Sequence, residues 1–134
     1  MAHSRRNLET MNDHLARYER AVEIGIGRRT DPARALAERG VSVTATDIDD
    51  RDVPEGVQFV RDDIVDPDPA VYTGADVVYA RNLPPELHRP ALEVARNVDA
   101  EFCFTTLGGD QPAVPVERKT IAAGTLYIAR ALPE

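Results

Sequence analysis

The stretch "VEIGIGRRTDPARALAERG", residues 22–40, decides how the chain is read. An apolar run ends in Glu23, Gly25 and Gly27 at alternating positions, and a helix-like segment follows. In that segment Asp31 stands as an N-cap, Pro32 takes the first helical position and Gly40 is the stop. A strand that ends in a glycine turn beside a helix N-terminus lets a ligand approach the backbone in doubly wound α/β folds. Gly25 and Gly27 supply the tight turn and the close approach, while Arg28, Arg29 and Thr30 stand where a third glycine is usual. A plain strand-to-helix turn has the same look, so the choice rests on what the rest of the chain adds.

Strand-like runs recur in a regular order: "AVEIGI" (21–26), "VSVTATDI" (41–48), "VQFVRDDI" (57–64), "ADVVYA" (75–80) and "EFCFTT" (101–106). Their continuous apolar character fits a parallel sheet covered on both faces. A second helix is expected over residues 85–98, with Leu87, Ala91, Leu92 and Ala95 on one stripe and Pro90 marking a late start or a kink. Leu8, Met11, Leu15 and Tyr18, spaced by three and four, predict a third between Arg5 and Arg20. "VERKTI" and "TLYIARAL" around "AAG" read as an antiparallel hairpin. Together these predict one minimal α/β domain over residues 1–134. Residues 1–20 give an N-terminal helix, 21–106 the βαβ core, and 107–134 a loop and the terminal hairpin. The sheet is expected to be doubly wound and mostly parallel, with helices on its faces. The links "DDRDVPEG" and "VDPDPAVYTG" are too short for full crossover helices, so one face is expected to be thinly covered and open to a second copy, a homodimer.

Composition narrows the function classes. At 134 residues and 43% hydrophobic, the chain suits one soluble core. No apolar run nears the roughly 18 to 20 residues that span a bilayer. The first twenty residues are too polar for a secretory signal, and a cytoplasmic protein is the expectation. Net charge is −7, from 23 acids against 16 bases, and Lys119 is the only lysine. An aspartate- and arginine-rich chain of this kind fits either a high-salt, halophilic cytoplasm or a GC-rich genome. It is not the basic footprint of a nucleic-acid binder. Cys103 stands alone, a packing thiol or a nucleophile, and His3, His14 and His88 lack ligand spacing, so no metal site is expected.

Two further acids bear on the turn. Asp47 lies twenty residues after Gly27 at the end of the second strand, where a carboxylate can accept from both hydroxyls of an adenosine ribose and would repel a 2′-phosphate. The alternative is a solvated loop acid among Asp49, Asp50 and Asp52. Asp63 followed by Ile64, past the third strand, can take an adenine amine and pack on the ring; equally, Asp63 is a turn or N-cap aspartate.

With "EIGIGRR", "TATDID" and "RDDI" in view, the chain resembles the class I S-adenosylmethionine-dependent methyltransferases from about Val22 to Thr106. As a whole it is similar to a small uncharacterised archaeal family of methyltransferase-like Rossmann proteins. The resemblance implies a methyltransferase-type Rossmann sheet and a cofactor site in which Glu23 helps hold the amino end of the methionine. Gly25 and Gly27 would line its backbone, Asp47 the ribose and Asp63 the adenine. Arg29 replaces a family glycine, and Arg28 and Arg29 would meet the methionine carboxylate. "RNLPPEL" (81–87) departs from the Asn-Pro-Pro-aromatic motif of amino-group methyltransferases, so no catalytic role is carried over. Asp76, Glu86, His88 and Asp110 are the available bases, with none singled out, while Arg81 is placed to bind an anionic substrate. The other expectation is a binding module without chemistry, sensing S-adenosylmethionine or NAD as the nucleotide-sensing domains of potassium channels do.

Overall fold

The structure is a computed structural model that describes residues 8–130. Seven strands form one sheet: β1 (Arg20–Ile24), β2 (Ser42–Asp47), β3 (Val57–Arg61), β4 (Val77–Ala80), β5 (Glu101–Phe104), β6 (Glu117–Ile121) and β7 (Gly124–Ala129). They lie in the order β3-β2-β1-β4-β5-β7-β6. The first five are parallel, and β7 runs antiparallel to both β5 and β6. The helices are α1 (Met11–Leu15), α2 (Asp31–Glu38), α3 (Pro69–Tyr72) and α4 (His88–Asn97), the last preceded by a 3-10 turn, Pro85–Leu87.

The period of two along each strand sorts residues into two cores. Val22 and Ile24, Val78 and Ala80, Phe102 and Phe104 pack with α4 and Tyr72 of α3. Their alternates, Ala21, Val77, Tyr79 and Cys103, pack with Met11 and Leu15 of α1 and Ala33 and Leu36 of α2. Helices on both faces of a largely parallel sheet make the fold doubly wound, with a terminal antiparallel hairpin, as the sequence predicts. Cys103 is fully buried, and burial pushes its thiol up to about 12, so it is a packing residue.

Local boundaries differ in instructive ways. The N-terminal helix is shorter than the Arg5–Arg20 expected. It begins at Met11 behind a Thr10–Asp13 capping box and ends at Leu15, where the chain tightens and turns to feed Arg20 into β1. Residues 1–7 of that stretch, and 131–132 of the hairpin run, lie outside the described residues. Of the proposed stripe, Met11 and Leu15 are buried, while Leu8 is exposed. Thr30, not Asp31, is the N-cap of α2, and its side chain makes no capping bond. Pro90 falls in the first turn of α4, where a missing N–H is tolerated, and the helix starts late as expected.

The link from β2 to β3 holds no helix and the next holds only α3, so the β1–β3 side is thinly covered. A groove of about 320 Å³ lies there, with Ser42, Thr44 and Gln58 on the bare sheet. Among the described residues no helix is long and apolar enough to cross a membrane. The chain leaves β1 for β2 on one side and reaches β4 on the other, which puts the topological switch point between β1 and β4. In open α/β sheets ligands bind in the crevice beyond the carboxyl ends of the strands at that point.

Candidate functional site

The glycine turn leaves β1 at the switch point. Gly25 and Gly27 have φ of +67° and +61°, a region L side chains rarely adopt. A Cβ at either would meet no protein atom within 4 Å, so backbone conformation, not crowding by the protein, requires glycine here. The turn is tied to β2 in three places. Ile26 N donates to Thr46 O at 3.0 Å, Thr46 Oγ1 donates to Glu23 O at 3.0 Å, and Gly27 N donates to Asp47 Oδ2 at 2.8 Å.

Asp47 thus faces the turn and is buried, unlike exposed Asp49, Asp50 and Asp52. Its other oxygen accepts from Asp49 N at 3.1 Å, and Arg51 Nε stands 3.4 Å from Oδ2. Burial by itself pushes this carboxyl up. The two backbone N–H bonds and Arg51 outweigh it and hold the group below the usual carboxylate range. Arg51 is a site residue that the sequence reading missed. No local signal marked it, because residues 48–51 are non-helical and an offset of four pairs side chains only on a helix.

Glu23 is buried with Oε1 accepting from Tyr79 Oη at 2.8 Å, its register partner on β4. Burial pushes the Glu23 carboxyl up, against the pull of Arg81 and the Tyr79 hydroxyl. Arg81 emerges one residue past β4 and lies over Glu23, with Nε 4.0 Å from Oε2. Its Nη2 donates to Asn12 Oδ1 at 2.8 Å and Nη1 contacts Met11 Sδ at 3.2 Å. Its Nε–H is buried without a hydrogen-bond partner. A guanidinium therefore sits where the resemblance puts the amino end of a ligand.

Beyond Arg81 opens a cavity of about 810 Å³, within the usual range for small-molecule sites. Its lining comes from Thr10–Asn12, Arg29, Asp31 and Pro32, from Arg81 and Asn82, from Thr105, Thr106 and Gly108, and from the hairpin tip, 121–125. The tip is held over the cleft by Ala122 N donating to Glu9 O at 2.7 Å. His88 braces the loop from below: fully buried, its Nδ1 accepts from Ala113 N at 3.0 Å. Nε2–H then donates to Leu83 O at 2.8 Å, which fixes the tautomer, and the ring lies tilted against Phe104 with centroids 4.4 Å apart. Pro84 and Pro85 end the strand region and start the 3-10 turn.

The expected site residues do not all converge. Arg28 and Arg29 are both exposed, and of the two Arg29 lines the cavity. Gly25, Gly27, Glu23 and Asp47 lie beside the cavity, not in its wall. Asp63 is exposed, and its Oδ1 accepts from Val65 N at 3.0 Å in an Asx turn. Ile64 is buried in the core with Tyr72, which leaves it no face for an aromatic ligand; the exposed apolar neighbours are Ile48 and Val65. None of the four bases weighed lines the cavity. Asp76 instead accepts from Glu19 N and Arg20 N below the sheet. Among the described residues no cluster of three metal-ligating side chains occurs.

Comparison with known proteins agrees with this architecture. A family model described as "Uncharacterised protein family (UPF0146)" matches residues 7–131. A UPF0146 protein of Halobacterium salinarum is 57% identical over 117 residues, 87% of this chain and 91% of the relative. One from Archaeoglobus fulgidus is 43% identical over 100 residues, 73% of this chain and 77% of the relative. An RNA methyltransferase from Salinibacter ruber, solved with S-adenosyl-L-homocysteine, superposes with a TM-score of 0.63 at 16% identity, covering 92% of this chain and 89% of that one. The S-adenosylmethionine-dependent methyltransferase SibL gives 0.60 at 17% identity over 91% of this chain, which spans 55% of that protein. At such identities the likeness to solved structures is one of fold.

Proposed function

The chain belongs to the uncharacterised protein family UPF0146, and on that footing we propose that it binds S-adenosylmethionine and passes its methyl group to an acceptor. One observation carries this reading: the buried Asp47 carboxylate bonded to Gly27 N–H, beside two left-handed glycines at the switch point. A carboxylate has about four lone-pair sites. Gly27 and Asp49 take two and Arg51 stands against a third, so acceptor capacity remains for a ribose hydroxyl. In this arrangement Asp63, with exposed Ile48 and Val65, frames the adenine, and Arg29 meets the methionine carboxylate. Glu23 reaches the ligand's amino group only when Arg81 turns aside. The sulfonium is already activated, so the protein's task is to align an acceptor with the methyl in a dry pocket.

Calorimetry with S-adenosylmethionine, S-adenosylhomocysteine and NAD tests the proposal. Binding of the first two and not of NAD is expected; binding of none removes it. A second reading, a non-catalytic adenine-nucleotide sensor for S-adenosylmethionine or NAD, is favoured by Arg81, which already neutralises Glu23 without a ligand. Release of labelled methyl onto a product separates transfer from sensing.

A further inference from the structure

We propose that the acceptor is a small organic acid, methylated on a carboxylate oxygen, that docks on Arg81 in the cavity. The inference rests on the transfer reading above and names its substrate class. Among the described residues the walls of the cavity carry two guanidiniums, Arg29 and Arg81, and a single carboxylate, Asp31, with the buried Glu23 carboxylate 4.0 Å from Arg81. Asp31 is paired with Arg34 at 3.2 Å at the mouth, whereas Arg29 forms no ion pair among the described residues. In a chain of net charge −7, this is a locally positive hollow, which selects anions. With Arg29 assigned to the methionine carboxylate, Arg81 is the other guanidinium among the described residues of the lining, which it shares with Asn82, Thr105, Thr106 and the hairpin tip.

Arg81 is free to take such a partner. Of the five N–H donors of a guanidinium, two are engaged, by Asn12 and by Met11. Nε–H has no acceptor and lies 4.0 Å from Glu23, so that contact is a weak anchor. A guanidinium fork matches a carboxylate in a way an ammonium does not. The hairpin tip, pinned at Glu9, lines the cavity, whose volume of about 810 Å³ suits a small molecule.

The missing base gives the second line of support. Among the described residues no imidazole, amine or unpaired carboxylate lines the cavity, and His88 holds the loop with both ring nitrogens engaged. A neutral amine or alcohol would have to release its proton to water, with no described side chain of the wall placed to take it. A carboxylate needs no base. Its oxygen attacks the methyl carbon with a lone pair, the carbon–sulfur bond breaks, and sulfur keeps the electron pair. Anion and sulfonium become a neutral ester and a neutral thioether, and no proton is left over.

The experiment uses the full chain. Succinate, citrate and benzoate are titrated calorimetrically without cofactor, with glycerol as the uncharged control. At least one acid binds and glycerol does not. Binding weakens about ten-fold or more in Arg81→Gln, the loss of one charge-assisted pair. Arg81→Lys keeps a charge against Glu23, protects folding, and still weakens the acid. Arg118→Gln, outside the cavity, leaves it unchanged. S-adenosylhomocysteine is titrated into the same wild-type protein, so that its binding together with failure of every acid to bind overturns the acceptor alone. Labelled methyl transferred to a small-molecule extract is expected to be released as methanol by base. Base-stable label, equal loss in Arg118→Gln, or no acid binding at all overturns the inference.

Discussion

The two sides of the switch point are built differently. On the β1–β2 side the site is a turn and an acid, fixed by backbone: two left-handed glycines, two N–H groups on Asp47 and an exposed edge with little helical cover. On the β4–β5 side it is a walled cavity, fixed by side chains that meet from distant parts of the chain. Asn12 and Arg81 are 69 residues apart, His88 and Ala113 are 25, and Lys119 and His14 are 105. The first side is suited to an invariant moiety such as a nucleoside, recognised at the backbone. The second can change its ligand by changing a few wall residues without disturbing the sheet.

If that division is real, damage to one side should leave the other intact. The largest effect is expected from His88→Ala, which removes a fully buried ring and two hydrogen bonds for a loss of about 4 kcal/mol in chemical denaturation. Hydrogen exchange should accelerate over residues 105–115, while S-adenosylhomocysteine affinity of the folded fraction holds within about two-fold. Equal loss of that affinity would mean the sides are one unit.

A slightly smaller effect is expected from acid. His14, buried under the N-terminal cap with Lys119 donating toward its Nδ1, is pushed down to about 4, first by burial and then by Arg17 and Lys119. The unfolded chain therefore takes up a proton first as pH falls. Stability is full above the ordinary histidine range near 6.5 and is lost from there down to about 4, by up to about 3 kcal/mol. Melting temperatures of the wild type and of His14→Gln across that window check it; the same slope in both refutes the assignment. Smallest is Thr10→Ala, which opens the capping box of α1 and should cost about 1 kcal/mol. It should loosen the α1 grip on Arg81 and leave Asp47 untouched, as read by exchange at Gly27 N–H.

The same contrast explains what was legible in the sequence. The strands themselves, the hairpin and the late start of α4 follow from apolar runs, turn residues and Pro90, all local signals. The family resemblance rests on glycines and acids at fixed spacing, and family membership is shown by the relatives. Asp47 was placed correctly at the turn because twenty residues is the length of one helix and one strand. Ile64 was misread because a residue after a strand can point into the core or into a cleft, and only tertiary packing decides. Arg81 over Glu23, the brace on His88 and the pinned hairpin tip are long-range contacts with no local pattern. The N-terminal helix stopped early for a related reason: the need to bring Arg20 into register with Ser42 outweighed its helical spacing.

Whether the turn seats an adenosyl ligand is decided by titrating S-adenosylhomocysteine into the wild type, Asp47→Asn and Asp52→Ala, the asparagine chosen because it keeps an acceptor for Gly27. Saturable binding, weakened about ten-fold or more by Asp47→Asn and within about two-fold of wild type in Asp52→Ala, is predicted. No binding to the wild type, or equal losses in both variants, would contradict the account.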